Sequence, residues 1–394
     1  MIGYDVGMLT KSGQPRGHSG PGHSVTNPDG SQGQDDDSEG RPAAGEARPG
    51  SAPRDRKRRV SMADVAKLAG VSSQTVSRVS NGSPDVIEVT RQQVISAMNE
   101  LGYRPNSAAR ALKRGSFRTI GVILFSLSSI GNVRTLEAIA LHAATKDFAI
   151  TLIPVTAPTQ AEVQGAFSRM GELAVDGVIA IMEIHLLDAA TVSVPPGVKV
   201  VVVDSNAGET YSVVDTDQAD GAHKAVEHLL ELGHQTVWHV AGPEESFASG
   251  RRQQAWRETL LAHGKEVPPV VRGDWSAESG YEAGLWLAGQ EGCTAVFTAN
   301  DHMALGVLRA FREKGKAVPE DISLVGFDDV PEASSYSPPL TTVHQDFAQV
   351  GHRCVDDVLR QIRSNSTEPG MTLVPTNLVV RQSTAAPRDI DVSA

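Results

Sequence analysis

The chain has 394 residues, with 36 Lys and Arg against 47 Asp and Glu, a formal net charge of −11 at pH 7 and 40% hydrophobic residues. That length supports two or three domains with a sizeable core, and no run approaches the ~18 apolar residues of a membrane-spanning helix. Cys293 and Cys354 are the two cysteines, which excludes a disulfide framework, an iron–sulfur cluster and a cysteine-rich zinc module.

Charge is spread unevenly along the chain. Residues 1–53 carry a net −3, residues 54–114 a net +7 and residues 115–394 a net −15. An acidic body carrying one short basic module calls for an anionic partner of that module rather than general polyanion binding. Residues 1–59 are expected to form a disordered leader with a basic arm. The first 50 hold 11 Gly and 5 Pro, and such a segment buries too little apolar surface to offset its ordering entropy. The arm Arg54–Arg59 is either a solvated run or an extra phosphate contact. The opening segment lacks the charged start, apolar stretch and cleavage site of a secretory signal, so the expected location is the cytoplasm.

Residues 60–105 carry the pattern of a small helical DNA-binding domain. Ser61-Met62-Ala63-Asp64 has the Ser-x-x-acid form of a helix start, with Val65, Leu68 and Ala69 on one face and Gly70 as the stop. Ser72 caps a second helix, Ser73–Ser80, whose inward residues are Val76 and Val79. A third begins at Thr90, with Val94, Ala97, Met98 and Leu101 on one stripe. Two helices joined by a tight glycine turn make a helix-turn-helix. The second helix offers Ser73, Gln74, Thr75, Ser77 and Arg78. These types suit base edges, Arg to guanine, Gln to adenine and Thr to a thymine methyl; the alternative is a merely solvated face. Residues 106–116 read as a hinge helix linker. Asn106 is a helix cap after Pro105, and the Ala-rich stretch spans barely two turns, below the ~12–15 residues that hold a helix in water. Leu112 is either a contact to the next domain or an apolar wedge into a minor-groove step, beside Arg110, Lys113 and Arg114.

From residue 117 to 385 strands and helices alternate. Thr119–Leu124, Ala149–Ile153, Gly177–Met182 and Val198–Val203 are apolar β-branched runs, separated by helical stretches near 133–146 and 159–174. After a helix at 218–232 the series restarts with Thr236–Val240, Val267–Arg272, Thr294–Thr298 and Ile322–Phe327, with helices to about 263, near 277–289 and over 302–314. The alternation implies parallel sheets with crossover helices, and its restart implies two lobes with a cleft between them. In the helix at 347–362, Phe347, Val350, Cys354, Val355, Val358, Leu359 and Ile362 form a 3.6-period core stripe. Ligands of such sheets sit beyond the carboxyl ends of the strands. Asp204, Ser246, Phe247, Arg252, Trp275, Asn300, Asp328, Gln345 and Phe347 follow strands in this way. Carboxylate, guanidinium, amide and indole together suit a polyhydroxyl ligand. Singly, each has a structural alternative: Asp301 and Asp346 read equally as helix caps, Trp275 as lobe core, and Arg252 as the partner of an acidic neighbour.

The ordered motifs Val60–Ser72, Gln74–Val79 with Asn81, and Tyr103-Arg104-Pro105-Asn106 resemble the lac/galactose repressor family of bacterial transcription regulators. So do Gly273–Ala277, Ala299-Asn300-Asp301, Gly326–Asp329 and Pro338–Thr342 with Gln345–Phe347, which extends the resemblance over about residues 60–383. It implies a helix-turn-helix headpiece on a two-lobed, periplasmic-binding-protein-like α/β core. It also implies a homodimer on a pseudo-palindromic double-stranded operator, with Ser73, Gln74, Thr75, Ser77, Arg78, Asn81, Asn106, Ala109 and Leu112 at the DNA. The nine strand-end residues above would bind a small carbohydrate effector, a galactoside being one candidate. Members with a galactoside cleft differ at Ile181, Ala248, Ser128, Ser129, Gly131 and Asn132, and Ser73 replaces a tyrosine that begins the recognition helix. The polar end, residues 386–394, is expected to be a disordered tail without the leucine-heptad helix that joins dimers in some members. No catalytic residue, metal site or cofactor is expected, and no membrane partner. The competing functions are a transport-type sugar-binding protein, a corepressor-activated regulator with a different ligand, and a glycosidase using Asp204, Asp328 and Asp329.

Overall fold

In the computed structural model, residues 60–104, 111, 115–125, 127, 129–156, 159–182, 194–205 and 207–388 are described. The expected leader, the hinge residues Asn106, Ala109, Leu112 and their basic neighbours, and the tail from 389 lie outside them. The expected tail is amended at its start: residues 386–388 continue the core, and the Arg388 guanidinium donates to Asp321 at 2.9 Å.

Helices α1 (Met62–Leu68), α2 (Ser73–Ser80) and α3 (Glu88–Glu100) form the headpiece. Ser72 caps α2 by accepting the Thr75 amide at 3.1 Å. Val65, Val76, Val79, Val94, Ala97 and Met98 meet in its core, with Leu101 and Tyr103 against them. The third helix starts two residues before the expected Thr90 because its N-cap, Ile87, has no capping side chain to signal the start.

The first lobe contains β1 (Thr119–Leu124), α4 (Ile130–Thr145), β2 (Ala149–Pro154), α5 (Gln160–Glu172), β3 (Gly177–Ile181), β4 (Lys199–Val203) and β5 (Ser212–Thr216). The chain then crosses to the second lobe through α6 (Gln218–Glu231), β6 (Trp238–Ala241), α7 (Phe247–Ala262), β7 (Val271–Arg272), α8 (Ala277–Leu287), β8 (Ala295–Thr298), α9 (Asp301–Glu313), β9 (Ser323–Asp328) and β10 (Thr341–His344). It returns through α10 (Phe347–Ser364) and β11 (Gly370–Val374), and ends with β12 (Asn377–Val379) back on the second lobe. The sheet orders are β11-β5-β4-β3-β1-β2 and β12-β10-β9-β8-β6-β7. Every pairing is parallel except β10 with β12. The alternation was expected; β5, β11 and β12 were not.

Helices cover both faces of each sheet, as parallel strands require. In the first lobe Phe167 and Met170 of α5 pack on one face, and Ile139 of α4 with Val350, Cys354, Val355, Val358 and Leu359 of α10 on the other. The expected stripe of α10 is thus core, except that Phe347 turns to the cleft. His228 and His234 anchor the segment after β12. His228 Nε2 lies 3.0 Å from Thr384 Oγ1, and His234 Nε2 lies 3.0 Å from the Ala385 carbonyl.

His239 of β6 is fully buried between Trp256 and Phe297, with ring centroids 5.2 and 4.8 Å away, and its Nδ1 donates to the Phe297 carbonyl at 2.9 Å. Burial pushes its pKa down to about 3, and burial lowers His228 and His234 in the same direction. Below about pH 6.5 the unfolded chain therefore takes up protons that the folded chain refuses, and stability falls as pH drops. For His239 the slope has a ceiling of about 1.4 kcal/mol per pH unit between ~6.5 and its folded value. Thermal unfolding followed from pH 7.5 to 5 is expected to show this decline, and His239→Phe to show a shallower one whatever its own starting stability.

Candidate functional site

On the headpiece, Ser73, Gln74 and Arg78 are exposed, and Thr75 and Ser77 half-buried, opposite Val76 and Val79. The five polar side chains therefore share the side of α2 that faces away from its core. Asn81 ends the helix, and its side-chain amide donates to Ser77 Oγ at 3.3 Å.

The second candidate site is a cavity of about 610 Å³ between the lobes, within the ~300–1,000 Å³ range of small-molecule sites. Its wall is built from loops that follow strands. In the second lobe, Ser246 after β6 caps α7 by accepting the Ser249 amide at 3.3 Å, and Arg252 stands in the following turns. After β7, Asp274 Oδ1 accepts the Ser276 amide and hydroxyl at 3.0 and 2.5 Å, and these bonds lower the Asp274 pKa. Ser276 in turn caps α8. Asn300 after β8 caps α9, accepting the Met303 amide at 2.8 Å, and its Nδ2 donates to the Trp275 carbonyl at 3.0 Å. One asparagine thus fixes a helix and the indole-bearing loop together. A Cβ on Gly242 would lie 2.4 Å from the Trp275 ring, so the indole packs where only glycine leaves room.

A buried ring of polar side chains forms the floor. Arg252 Nε donates to Gln218 Oε1 at 2.8 Å, Gln218 Nε2 to Gln345 Oε1 at 3.3 Å, and Gln345 Nε2 to Asp328 Oδ1 at 2.6 Å. Asp328 Oδ1 lies 3.7 Å from Arg252 Nη1, closing the ring. The guanidinium also donates to the Ala299 carbonyl and lies 3.7 Å from the Phe327 ring centroid and 5.6 Å from that of Trp275. Beneath the ring, Asp301 is fully buried and accepts Thr342 Oγ1 at 2.5 Å and the Val330 amide at 2.9 Å. Burial first, and Asp328 next, raise its pKa well above the usual carboxylate range. Asp346 acts as the cap of α10, accepting the Gln349 amide at 2.8 Å; in α9 that role falls to Asn300 and not to Asp301.

From the first lobe come Ser129, Gly131, Asn132 and Thr135 on and before α4, Asp204 after β4, and Asp215 and Thr216 at the end of β5. Three wall residues, Asp204, Trp275 and Asp328, have φ of 55°, 74° and 109°. Side chains other than glycine hold such conformations at a cost of ~1–3 kcal/mol each, and they gather at functional sites.

Eight of the nine expected effector residues line this one cavity: Asp204, Ser246, Arg252, Trp275, Asn300, Asp328, Gln345 and Phe347. Phe247 does not. It is the first residue of α7, only 9% exposed, and lies under the Arg251 guanidinium at 5.9 Å. Ile181 is buried in the first-lobe core, while Ala248 does reach the wall. The sequence reading missed Asp215, Thr216, Gln218, Asp274 and His302. Recognising SVVDT as a strand would have found the first three, because they stand on and just past its carboxyl end.

Residues 61–106 match the bacterial regulatory proteins of the lacI family, and residues 226–384 match the periplasmic binding protein-like domain. The Lactose operon repressor of Escherichia coli (strain K12) is 35% identical over 333 residues, 83% of this chain and 91% of that protein. The chain belongs to the LacI family. A Lac repressor dimer bound to operator and the anti-inducer ONPF superposes with a TM-score of 0.75 at 33% identity, covering 84% of this chain and 100% of that one. A complex of the transcriptional regulator CelR with cellobiose gives 0.61 at 31% identity over 82% and 100%. The LacI-family assignment agrees with the headpiece, the two parallel-sheet lobes and the cavity between them.

Gly242→Ala is expected to displace the Trp275 indole and so change the intrinsic fluorescence of the folded protein. In a Trp275→Phe background the same substitution should leave the emission spectrum unaltered; a change that persists there would separate Gly242 from Trp275.

Proposed function

We propose that this LacI-family chain is a sequence-specific DNA-binding transcriptional regulator, a repressor of carbohydrate-utilisation genes, whose operator affinity is set by a sugar bound between the lobes. The observation that carries this reading is the pairing, in one chain, of a helix-turn-helix with a polar reading face and an inter-lobe cavity walled by carboxylates, amides, a guanidinium and an indole. The first is suited to base edges in a major groove. The second is suited to vicinal hydroxyls and the C–H face of a sugar ring. The protein works as a cytoplasmic homodimer on a pseudo-palindromic operator, the symmetry that places two recognition helices about one helical turn of DNA apart. A galactoside, which the family resemblance implies, and cellobiose, which the similar CelR structure holds, are the first candidate ligands.

Regulation in this reading is a linked equilibrium. The sugar changes operator affinity only through unequal affinity for two lobe arrangements, with a coupling of ~1–3 kcal/mol typical of such proteins. The hinge residues Asn106, Ala109 and Leu112 carry that difference to the DNA. Two of the three carboxylates of the glycosidase alternative are engaged by neighbouring side chains. Asp328 is held by Gln345 and Arg252. Asp329 lies against Arg381 and His344 at 2.6 and 3.0 Å. No cofactor enters the mechanism.

Purified protein titrated onto dyad-symmetric and scrambled duplexes, with and without a panel of sugars, tests the reading. Preference for a symmetric duplex, altered by at least one sugar, is the expected result; indifference to both symmetry and sugar would sink it. Trp275→Ala is expected to keep operator binding and lose the sugar response. Arg78→Ala should lose discrimination between specific and random duplex, an effect of ~1–3 kcal/mol for a bidentate base contact, whereas Lys113→Ala should mainly flatten the salt dependence.

A further inference from the structure

Consecutive arginines on α7 do different work. Arg252 enters the cavity floor. Arg251, about 100° further round the helix, reaches across to the other lobe. Its Nη1 donates to Asp215 Oδ2 and its Nη2 to the Ser205 carbonyl at 3.0 Å. Both acceptors belong to the first lobe: Asp215 is in β5 and Ser205 follows β4. The carboxylate is nearly sealed, its side chain 3% exposed, and the guanidinium is 23% exposed.

We propose that Arg251 is a positioning residue that braces the two lobes in the orientation that assembles the effector cavity. The connections between the lobes are soft by construction. The chain passes between them from β5 to α6, from β10 to α10 and from β11 to β12, each time through one or two residues outside helix and strand. Such connections absorb φ/ψ change at small cost and allow rotation of one lobe on the other. A bidentate guanidinium held to two acceptors on two different strand ends resists that rotation. Among the described residues, Arg251 is the counter-charge of the carboxylate it grips. Burial pushes the Asp215 pKa up, and Arg251 is the largest influence pulling it back, ahead of the Thr216 amide and Gln218. Removing Arg251 thus leaves a buried carboxyl that takes up a proton and releases the other lobe. Asp215 lines the cavity and Arg251 does not, so the arginine acts on a ligand only through Asp215 and the lobe orientation.

The test is inter-lobe distance in the full-length protein without any ligand. Spin labels are placed on Glu172→Cys at the end of α5 and Lys314→Cys at the end of α9, both exposed positions, while Cys293 and Cys354 are buried and the unsubstituted chain serves as the labelling control. The unsubstituted brace should give one narrow distance distribution, and Arg251→Met a broadened or displaced one. Asp215→Asn should do the same, and the double variant no more than either single change, as expected for partners in one interaction. Arg251→Lys, which keeps the charge but not the fork, should fall between and decides the matter if Arg251→Met fails to fold. Distributions unchanged in Arg251→Lys and in every folded variant would overturn the brace.

A second readout rests on the saccharide reading above. With lactose and cellobiose as probes, a fall of the competent orientation to about a tenth of molecules weakens binding about tenfold, at a residue outside the cavity wall. Unweakened binding in Arg251→Met would count against the brace. Absence of binding by the unsubstituted protein would count against the saccharide reading alone, and the distance distributions would still judge the brace.

Discussion

The closed ring of Arg252, Gln218, Gln345 and Asp328 is the constraint on which the rest of the site depends. All four side chains are buried, and buried polar groups are tolerable only when their bonding is met. Gln218 opens α6 just after the chain first crosses between lobes, and Gln345 stands where it crosses back. The ring therefore ties two of the crossings to the guanidinium and carboxylate that face the cavity. A ligand that draws Arg252 or Asp328 towards itself must lengthen a bond to a hinge glutamine. A buried ion pair contributes little net stability against an apolar replacement, because desolvation offsets attraction. The value of this one lies in fixing a geometry that connects occupancy to hinge.

Backbone strain on the same strand ends points the same way. Asp204, Trp275 and Asp328 stand in left-handed conformations that glycine would hold without cost. Glycine would also remove the carboxylates and the indole that face the cavity. The neighbours absorb the strain. Asn300 holds the Trp275 carbonyl, and Gly242 leaves room for the ring. Likewise Gly326, whose Cβ would collide with the Asp301 carboxylate, lets that group sit on β9 and bond to Thr342 of β10. Two glycines thus make way for the side chains on which the cavity depends.

The strands most plainly written in the sequence are those buried on both faces. TIGVIL, GVIAI and KVVVV form the centre of the first sheet as unbroken apolar runs, the signature of a parallel strand with helices above and below. The strands that escaped notice lack that signature. Gly370–Val374 is at a sheet edge, with Met371 and Leu373 exposed, and Ser212–Thr216 mixes two polar termini with an acidic residue whose charge is favoured chiefly by Arg251. Site residues followed the same division. Those on motifs and after obvious strands were legible, whereas Asp215, Thr216 and Gln218 depended on the unseen strand. Of the two alternatives for Asp301 the cap fails, because a cap and a buried carboxylate both follow a strand; its neighbour Asn300 takes the amide, leaving Asp301 to bond sideways across the sheet. Phe247 went astray by helical phase, a single residue past the Ser246 cap.

A regulator of this design must hold its linker near balance. An eleven-residue segment such as 106–116 is too short to stay helical alone, so the expected hinge helix would depend on what surrounds it. A coupling of ~1–3 kcal/mol shifts such a poised equilibrium by roughly one to two decades, and would barely move a linker stable by much more. The core needs the opposite property. If its lobes were as poised as the linker, sugar binding would be spent on ordering the cavity and little differential affinity would reach the hinge. The polar ring, the caps on α7 to α10 and the Arg251 clasp keep the cavity assembled in advance, so that in the proposed mechanism the difference in ligand affinity between two lobe arrangements can pass to the linker and headpiece.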